Sequence, residues 1–388
     1  MPFITISVDP KHYQLSFDDI LNGITKSFFK EQQENQEMGN TRTAYREFTP
    51  QALLDNYDFE KMLNVLKAFN QKHQHLINTE NKSTLYRSFS IPKSSGGLRR
   101  IDAPNDELKF ALRELKHIFE TVFHGLHHTS AFAYIKGRST IDAIKRHQAN
   151  NSRWFLKLDF SNFFGSTTID FVMHQLAMIF PFSEVIKQEG GKEAFIQALS
   201  LAFLNGGLPQ GTPFSPAITN LMMIPIDHAI AKAMREHTPH IRYTRYADDL
   251  LLSSDLSFKW TEVQEKVVDI LRRAQAPFSI KIEKTRYGSS AGRNWNLGVM
   301  LNKDNQITIG NQKKRIFKAM LFALHNDYSK GKFWSLSDIQ EFQGLMSYYL
   351  MVERDNIQKI IESYEEKYKV KVSHIVKTTM SNPSRQAA

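Results

Sequence analysis

The sequence predicts an α+β fold, in which strands and helices mix along the middle of the chain and helices alone fill its end. Two observations carry this prediction. Short predicted strands bounded by turn residues lie at 88–91, 98–103, 154–158, 242–247 and 250–253, and 154–158 is almost entirely apolar. Apolar residues at helical spacing separate these runs, and the stretch 311–369 is helical almost throughout. This irregular mixture is typical of α+β proteins.

The first part of the chain contains two predicted helices and a hairpin. Apolar residues begin to recur at helical spacing at Phe59, and a second such pattern follows Pro104 and continues to about Val122. Between them, 88–91 and 98–103 are predicted strands joined by a Gly-containing loop.

A further helix is predicted to start at Ser215, with Ser215 as its N-cap and Pro216 in its first turn. It extends to about residue 234, and we expect Pro225 to kink or interrupt it because proline lacks the backbone N–H of a helix interior.

The composition indicates a globular protein that favours polyanions. The 388 residues include 50 Lys and Arg against 40 Asp and Glu, a formal net charge of +10, and a basic surface suits nucleic acid. The absence of cysteine excludes disulfides, thiolate zinc sites and a cysteine nucleophile. The first residues lack a signal-peptide pattern, and no stretch approaches the roughly 20 apolar residues of a membrane span. We therefore expect a cytoplasmic protein with no membrane partner.

Three aspartates are the candidate catalytic residues. Asp248 and Asp249 are adjacent between two predicted strands, and Asp159 ends the apolar run 154–158. Two unit charges ~4 Å apart repel by roughly 4 kcal/mol at an effective dielectric of 20, so a cation between them is favoured. Oxygen ligands without His or Cys indicate Mg²⁺ rather than zinc. Three such carboxylates can hold the paired Mg²⁺ ions of phosphoryl transfer. An ordinary hairpin turn and an unrelated aspartate would give the same local pattern.

Five segments, in order, resemble the sequence blocks of bacterial reverse transcriptases of the retron and group II intron-like superfamily. Tyr246-Ala247-Asp248-Asp249 matches the Tyr-x-Asp-Asp block typical of that family. The other four are Ile91-Pro92-Lys93 with Gly97-Leu98-Arg99-Arg100-Ile101-Asp102-Ala103-Pro104, Leu158-Asp159-Phe160-Ser161-Asn162-Phe163-Phe164, Gly207-Leu208-Pro209-Gln210-Gly211-Thr212-Pro213-Phe214-Ser215-Pro216, and Glu283-Lys284-Thr285 with Asn296-Leu297-Gly298.

The resemblance implies a right-hand polymerase, with fingers and palm built from antiparallel sheet and helices and with a C-terminal helical thumb. The implied divisions are a helical extension of the fingers at 1–87, fingers at 88–150, palm at 151–302, thumb at 303–375 and a tail at 376–388.

The resemblance also implies roles for single residues. Asp159, Asp248 and Asp249 are the expected catalytic residues and ligands of two Mg²⁺ ions, with the Phe160 carbonyl as a further ligand. These ions are the expected cofactors, and dNTPs the expected substrates.

Five residues are expected to contact the incoming dNTP. Lys93 and Arg99 lie on the fingers hairpin, where cations can meet a triphosphate. Gln210 can hydrogen-bond the sugar, and Phe164 takes the position of a steric gate that excludes a 2′-hydroxyl. Lys284 can protonate or stabilise the departing pyrophosphate.

A basic helix follows the palm. Lys313, Lys314, Arg315 and Lys318 crowd one predicted helix. They are expected to follow the phosphates of a template–primer duplex, although a basic run can also be only a solvated face.

The subgroup is less sharply defined. Asp142-Ala143-Ile144-Lys145-Arg146-His147 departs from the Asn-Ala-x-x-His box of retron enzymes, and Asn296-Leu297-Gly298 stands where they favour Val-Thr-Gly. The block from Gln210 to Pro216 departs from diversity-generating enzymes, and maturase, RNase H or integrase segments are not visible. The chain therefore looks most like the defence-associated reverse transcriptases.

The expected function is RNA-directed DNA synthesis on a cognate structured noncoding RNA in anti-phage defence. Four alternatives stay open: a template-independent or protein-primed polymerase of the abortive-infection type, a retron enzyme that makes msDNA, an RNA-binding scaffold without activity, and an RNA-synthesising polymerase, which Phe164 disfavours. A partner protein or a homo-oligomer is compatible with the sequence.

Overall fold

The structure is a computed structural model that describes residues 57–92, 96–290 and 298–381. Three predicted residues, Lys93, Asn296 and Leu297, lie outside the described residues.

Helices dominate the described part of the chain. They are α1 (Phe59–Lys72), α2 (Gln74–Ile77), α3 (Asp106–His117), α4 (Thr140–Ala149), α5 (Phe163–Ser166), α6 (Ile169–Leu176), α7 (Phe182–Ile186), α8 (Gly191–Ser200), α9 (Ser215–Met222), α10 (Ile224–Arg235), α11 (Trp260–Arg273), α12 (Asn311–Ser329), α13 (Leu336–Val352), α14 (Arg354–Tyr368) and α15 (Val372–Met380).

Strands form one four-stranded sheet and two smaller ones in the order β1-β2, β4-β5-β3-β6 and β7-β8. They are β1 (Tyr86–Pro92), β2 (Leu98–Pro104), β3 (Trp154–Asp159), β4 (Arg242–Tyr246), β5 (Asp249–Ser254), β6 (Arg286–Ser289), β7 (Met300–Leu301) and β8 (Ile307–Thr308).

The predicted strands are confirmed to within two residues at each end. In the antiparallel hairpin β1-β2, Tyr86 lies opposite Pro104 and Pro92 lies opposite Leu98. In the larger sheet, β3 pairs antiparallel with β6, with Trp154 opposite Ser289.

The helix predicted from Ser215 is broken where proline requires it. Helices α9 and α10 meet at Met223, two residues before Pro225. Ser215 itself is the first residue of α9 rather than its cap, and its hydroxyl donates to the Pro209 carbonyl at 2.9 Å. The serine therefore holds the turn that precedes the helix.

The chain divides into two compact units. The first contains residues 57–138 as far as they are described, together with 158–250 and 259–285. Its core includes a group of buried aromatic rings in mutual contact: Phe119, Phe123, Phe182, Phe195 and Phe214.

The second unit contains residues 139–157, 251–258 and the described residues from 286 onwards. Apolar side chains of α12 to α15 form its core, among them Phe317, Leu321, Phe342, Ile357 and Ile375. The domain boundaries implied by the resemblance stay predictions.

Among the residues that the structure describes, none of the helices combines the length and the apolar character needed to cross a membrane.

Candidate active site

The end of strand β3 places Asp159. Phe155, Leu156 and Leu158 are fully buried, so this strand lies in the interior and carries Asp159, itself 7% exposed, to its C-terminal end. The Asp159 carbonyl accepts a hydrogen bond from the Lys281 N–H at 2.8 Å. The aspartate is thus fixed by its backbone as well as by its strand.

The turn between β4 and β5 places the other two aspartates. Ala247 has φ of 57°, in the left-handed region, and this reversal puts Asp248 in the turn and Asp249 at the start of β5. The carbonyl of Asp248 accepts a hydrogen bond from the N–H of Phe160 at 3.0 Å. One peptide bond beyond Asp159, the chain is therefore in direct contact with the turn, and all three predicted catalytic residues lie at this end of the sheet.

Lys284 neutralises Asp159. Its Nζ donates to both carboxylate oxygens of Asp159, each at 3.0 Å, while half of its side chain is exposed. Burial by itself lowers the pKa of Lys284, but the hydrogen bonds and charge of Asp159 and the charges of Asp248 and Asp249 raise it overall. The lysine therefore stays protonated beside the aspartates.

The Asp248 carboxyl group has a pKa above its ordinary value, so it is harder to ionise than a free aspartate. Burial is the largest cause and raises the pKa of its carboxyl group, the hydrogen bond from its own backbone N–H lowers it, and the charge of Asp159 raises it again, against the smaller effects of Lys284 and Arg99. A carboxylate that is costly to ionise beside another carboxylate gains most from a cation.

The three aspartates suit a divalent cation by donor type, but they are not preassembled around one. Within the described ranges, no three side chains of His, Cys, Asp or Glu already form a cluster able to hold a metal ion. The Lys284 ammonium instead contacts both oxygens of Asp159. Carboxylates alone are hard ligands, which favour Mg²⁺ or Mn²⁺.

Phe160 has its peptide at the site and its ring in the core. The N–H contacts the Asp248 carbonyl, whereas the ring is 2% exposed and packs against Phe163 and Phe278. The carbonyl as a further metal ligand stays a prediction.

The turn that carries Gln210 is held against strand β2. The Gln210 carbonyl accepts from the Asp102 N–H at 2.8 Å, and the Gln210 side chain is exposed. Gly211 has φ of 115°, and a Cβ there would lie 2.8 Å from Cγ2 of Ile101, so glycine permits this close approach. Gln210 is thus available to a ligand.

Arg99 lies on the same hairpin, exposed and opposite Ile91. Its charge is the smallest of the effects on the pKa of Asp248, which it lowers. The dNTP contact of Arg99 stays a prediction.

Phe164 differs from the phenylalanines around it. Phe163 is 3% exposed in the core, whereas Phe164 is only half-buried and meets the Phe163 ring edge-on at 5.4 Å. Its carbonyl accepts from the Leu208 N–H at 2.9 Å. Gly207 permits this contact between the two loops, because a Cβ there would lie 2.1 Å from the Gly165 carbonyl oxygen. Phe164 is thus a partly accessible aromatic ring on a backbone that is held in place.

The basic run lies on α12 in the second unit, and its four residues have different environments. Lys313 donates to the Gly298 carbonyl at 2.9 Å, and Lys314 forms an ion pair with Glu353 in which both side chains are 16% exposed. Arg315 and Lys318 are exposed. Two of the four cations are therefore used inside the unit, and two face outward.

Two residues near the catalytic turn were not expected from the sequence. Arg245, completely buried, is paired with buried Asp227, and Tyr134 is 54% exposed with φ of 61°. The position of Asp227 among the apolar residues of α10 is a sequence signal for a buried charge, but it does not identify Arg245 as the partner. No sequence signal marks Tyr134.

Comparison with known proteins assigns the family. Residues 91–316 match the family model described as reverse transcriptase (RNA-dependent DNA polymerase). This match spans more than half of the chain, which therefore belongs to the reverse transcriptase family. The recognition as a bacterial enzyme of the retron and group II intron-like superfamily and the α+β right-hand polymerase fold are confirmed, as is the activity of an RNA-directed DNA polymerase.

Among curated proteins, the chain is similar to retron reverse transcriptases. It is 29% identical to the Ec83 enzyme of Escherichia coli over 290 residues, which cover 73% of this chain and 88% of the relative. It is 29% identical to the Mx162 enzyme of Myxococcus xanthus over 279 residues, which cover 64% of this chain and 54% of the relative.

Among solved structures, apo telomerase from Candida tropicalis aligns with a TM-score of 0.45 and 13% identity over 78% of this chain and 62% of that one. For the family as a whole, the template is RNA, the product is DNA, and divalent metal ions are used.

Proposed function

We propose that the chain polymerises dNTPs on an RNA template with Asp159, Asp248 and Asp249 as the ligands of two Mg²⁺ ions and the Phe160 carbonyl as a further ligand. The hydrogen bond from the Phe160 N–H to the Asp248 carbonyl supports this most strongly, because it joins two distant parts of the chain at the aspartates.

The bound ions would activate the primer hydroxyl and neutralise the leaving pyrophosphate. The residues of the chain prepare the site for them. Asp159 has to exchange the Lys284 ammonium, 3.0 Å away, for a metal ion. Lys284 Nζ, still protonated and next to the aspartates, can then donate its proton to the pyrophosphate oxygen.

The nucleotide would bind between the fingers hairpin and the palm turns. Arg99 and Lys93 contact the triphosphate, since an arginine fork and a lysine charge both suit phosphate. Gln210 donates to the sugar through its exposed amide. The partly accessible ring of Phe164 lies under the sugar, where it leaves no space for a 2′-hydroxyl.

The duplex would contact α12 through Arg315 and Lys318, which are exposed. Lys313 and Lys314 contribute to the surface potential, but their nitrogens already have protein partners. The earlier expectation of four equivalent phosphate contacts thus narrows to two direct ones.

The proposed setting is the bacterial cytoplasm, with a cognate structured noncoding RNA as template and anti-phage defence as the biological role. Similarity to bacterial enzymes supports the bacterial setting, and the net charge of +10 supports a nucleic-acid partner.

A retron enzyme that makes msDNA is the second candidate, because the similar curated proteins are retron reverse transcriptases. The departure at Asp142 weighs less against it than the sequence suggested. Asp142 accepts from the N–H and the hydroxyl of Ser139 at 2.9 and 2.6 Å, a capping box at the start of α4. Helix capping therefore explains why an aspartate stands at this position.

The proposal is tested by primer extension with purified protein on defined RNA templates, with dNTPs and Mg²⁺, followed by sequencing of the DNA. A product complementary to the template is expected. DNA without relation to the template would contradict it and favour the abortive-infection type of polymerase. Sequencing of the RNA and DNA that copurify from cells separates the two candidates: msDNA joined to its RNA indicates the retron enzyme.

A further inference from the structure

Two residues beside the proposed catalytic site have backbone conformations that need support. Ala247 in the catalytic turn has φ of 57°, and Tyr134 has φ of 61°. Left-handed backbone is unfavourable for residues with a Cβ atom, and for a bulky residue it is a genuine outlier. Such conformations persist when surrounding contacts hold them in place, and they concentrate at functional sites.

A buried ion pair between Arg245 and Asp227 lies next to the catalytic turn. Nε of Arg245 donates to the two carboxylate oxygens of Asp227 at 2.8 and 3.1 Å, and Nη2 donates to Oδ2 at 2.8 Å. Neither side chain is exposed to solvent. The Tyr243 hydroxyl donates to Oδ1 of Asp227 at 2.7 Å. The carboxylate therefore fixes the plane of the guanidinium.

The remaining arm of the guanidinium reaches the catalytic turn. Nη1 of Arg245 donates to the Ala247 carbonyl at 3.0 Å. That carbonyl belongs to the peptide bond that joins Ala247 to Asp248. The hydrogen bond thus restrains the peptide on which the orientation of the two adjacent aspartates depends.

The same guanidinium is linked to the second outlier through one amide. Nη2 of Arg245 also donates to Oδ1 of Asn220 at 3.2 Å, and Nδ2 of Asn220 donates to the Ala133 carbonyl at 2.8 Å. This carbonyl belongs to the peptide that joins Ala133 to Tyr134. One buried cation therefore restrains the peptides next to both left-handed residues.

We infer that Arg245 is a positioning residue of the polymerase, which sets the catalytic turn directly and Tyr134 through Asn220. The inference rests on the proposed role of Asp248 and Asp249 as metal ligands. Stability alone is a weak explanation for the pair, because apolar residues of similar volume often replace buried ion pairs without loss of stability. The geometry gives the pair a specific task, which is to hold a peptide that the catalytic residues depend on.

Arg245→Lys tests this role with little change in charge. Lysine can neutralise Asp227, but its compact ammonium cannot hold the carboxylate with two parallel bonds and also reach Ala247. We expect kcat to fall about 10- to 100-fold while KM for dNTP changes less than about threefold, as for misplaced catalytic groups. Mn²⁺ binding, measured by calorimetry without nucleic acid, should weaken in parallel.

A second substitution separates positioning from simple destabilisation. Glycine adopts positive φ without steric cost, so Ala247→Gly in the Arg245→Lys background should restore kcat at least about threefold. Asn70→Ala is the matched control for stability: Asn70 is buried in the same unit and donates to the Ala194 carbonyl, far along the chain from the turn. It should lower the melting temperature and leave kcat unchanged.

A triple variant addresses the case in which lysine alone prevents folding. Arg245→Met with Asp227→Leu and Tyr243→Phe removes the polar network and leaves no unpaired buried charge. It should fold and show the same loss in kcat and in Mn²⁺ affinity.

Two results would overturn the inference. One is a folded Arg245→Lys or triple variant with wild-type kcat and Mn²⁺ affinity. The other is a loss in Arg245→Lys that follows the fraction of folded protein and that Ala247→Gly does not restore. A wild-type protein that extends no primer would instead refute the proposed function, and the Mn²⁺ titrations would still decide the role of Arg245.

Discussion

The catalytic end of the sheet and the basic helix α12 were both predicted from charged residues, but the aspartates come from separate segments whereas the cations are neighbours in sequence. At the sheet, Asp159 and Asp248 are 89 positions apart in sequence, and the hydrogen bond from the Phe160 N–H to the Asp248 carbonyl brings their segments together. On α12, four neighbouring cations separate into two with protein partners and two that are exposed. Charges fixed by strand ends thus converge, whereas charges along a helix are distributed around its axis.

The largest effect is expected where the carboxylates converge. Asp248→Asn with Asp249→Asn should lower the rate of primer extension by at least about 10³-fold. Without these ligands the metal ions no longer stabilise the negative charge of the transition state. Single-turnover extension on an RNA template measures it. Asp255→Asn, an exposed aspartate at another turn, is the control and should leave the rate unchanged. A double variant as active as the wild-type protein would show that Asp248 and Asp249 are not catalytic residues.

Lys284→Met should change two quantities in opposite directions. The rate should fall about 10²-fold, the usual contribution of a general acid, while Mn²⁺ should bind the free protein more tightly because Asp159 loses its ion pair. Calorimetry and single-turnover kinetics give both numbers. Lys281→Met is the matched control, since Lys281 lies near Glu283 instead. Weaker Mn²⁺ binding in Lys284→Met would argue that the lysine supports the site rather than competes for it.

Phe164→Ala should relax sugar selection. The ratio of kcat/KM for dNTP over NTP should fall at least about tenfold, since removal of the ring leaves space for a 2′-hydroxyl. Competition between dGTP and GTP in primer extension measures the ratio. Phe110→Ala, at an exposed ring on α3, should leave it unchanged. An unchanged ratio in Phe164→Ala would make this residue part of the core.

The smallest effect is expected on α12, where exposed and partly buried cations are neighbours and their contributions to duplex binding can be compared directly. Arg315→Ala with Lys318→Ala should weaken binding of an RNA–DNA duplex and lower the slope of log K against log salt by about 2, one for each lost phosphate contact. Lys314→Met should leave the slope nearly unchanged and lower the melting temperature, because the largely buried carboxylate of Glu353 loses its cationic partner and keeps only neutral hydrogen-bond donors. Equal slopes in both variants would mean that the exposed cations of α12 contact the phosphates no more than the partly buried Lys314 does.

Much of the fold followed from periodicity and from turn residues. The hairpin β1-β2, the strand that ends at Asp159 and the break before Pro225 depend on local chemistry, namely alternation, apolar runs and the missing N–H of proline. These signals are complete within a few residues of sequence, and so a single sequence suffices to detect them.

The partners of side chains were beyond such signals. The pairing of Lys284 with Asp159 spans 125 positions, and that of Lys314 with Glu353 spans 39. Whether Arg245 lies inside or outside depends on a helix that supplies Asp227, and no local pattern gives that contact. The charged residues of the site could therefore be predicted from the sequence. Which of them already form ion pairs within the protein could not.

The most direct measurement is a crystal structure with Mn²⁺, an RNA–DNA template–primer and a non-hydrolysable dNTP, recorded with anomalous diffraction. Two manganese peaks about 3.5–4 Å apart, ligated by Asp159, Asp248 and Asp249, with Lys284 displaced from Asp159, are the predicted result. Manganese bound elsewhere, with Lys284 still on Asp159 and the nucleotide in place, would contradict the proposed site.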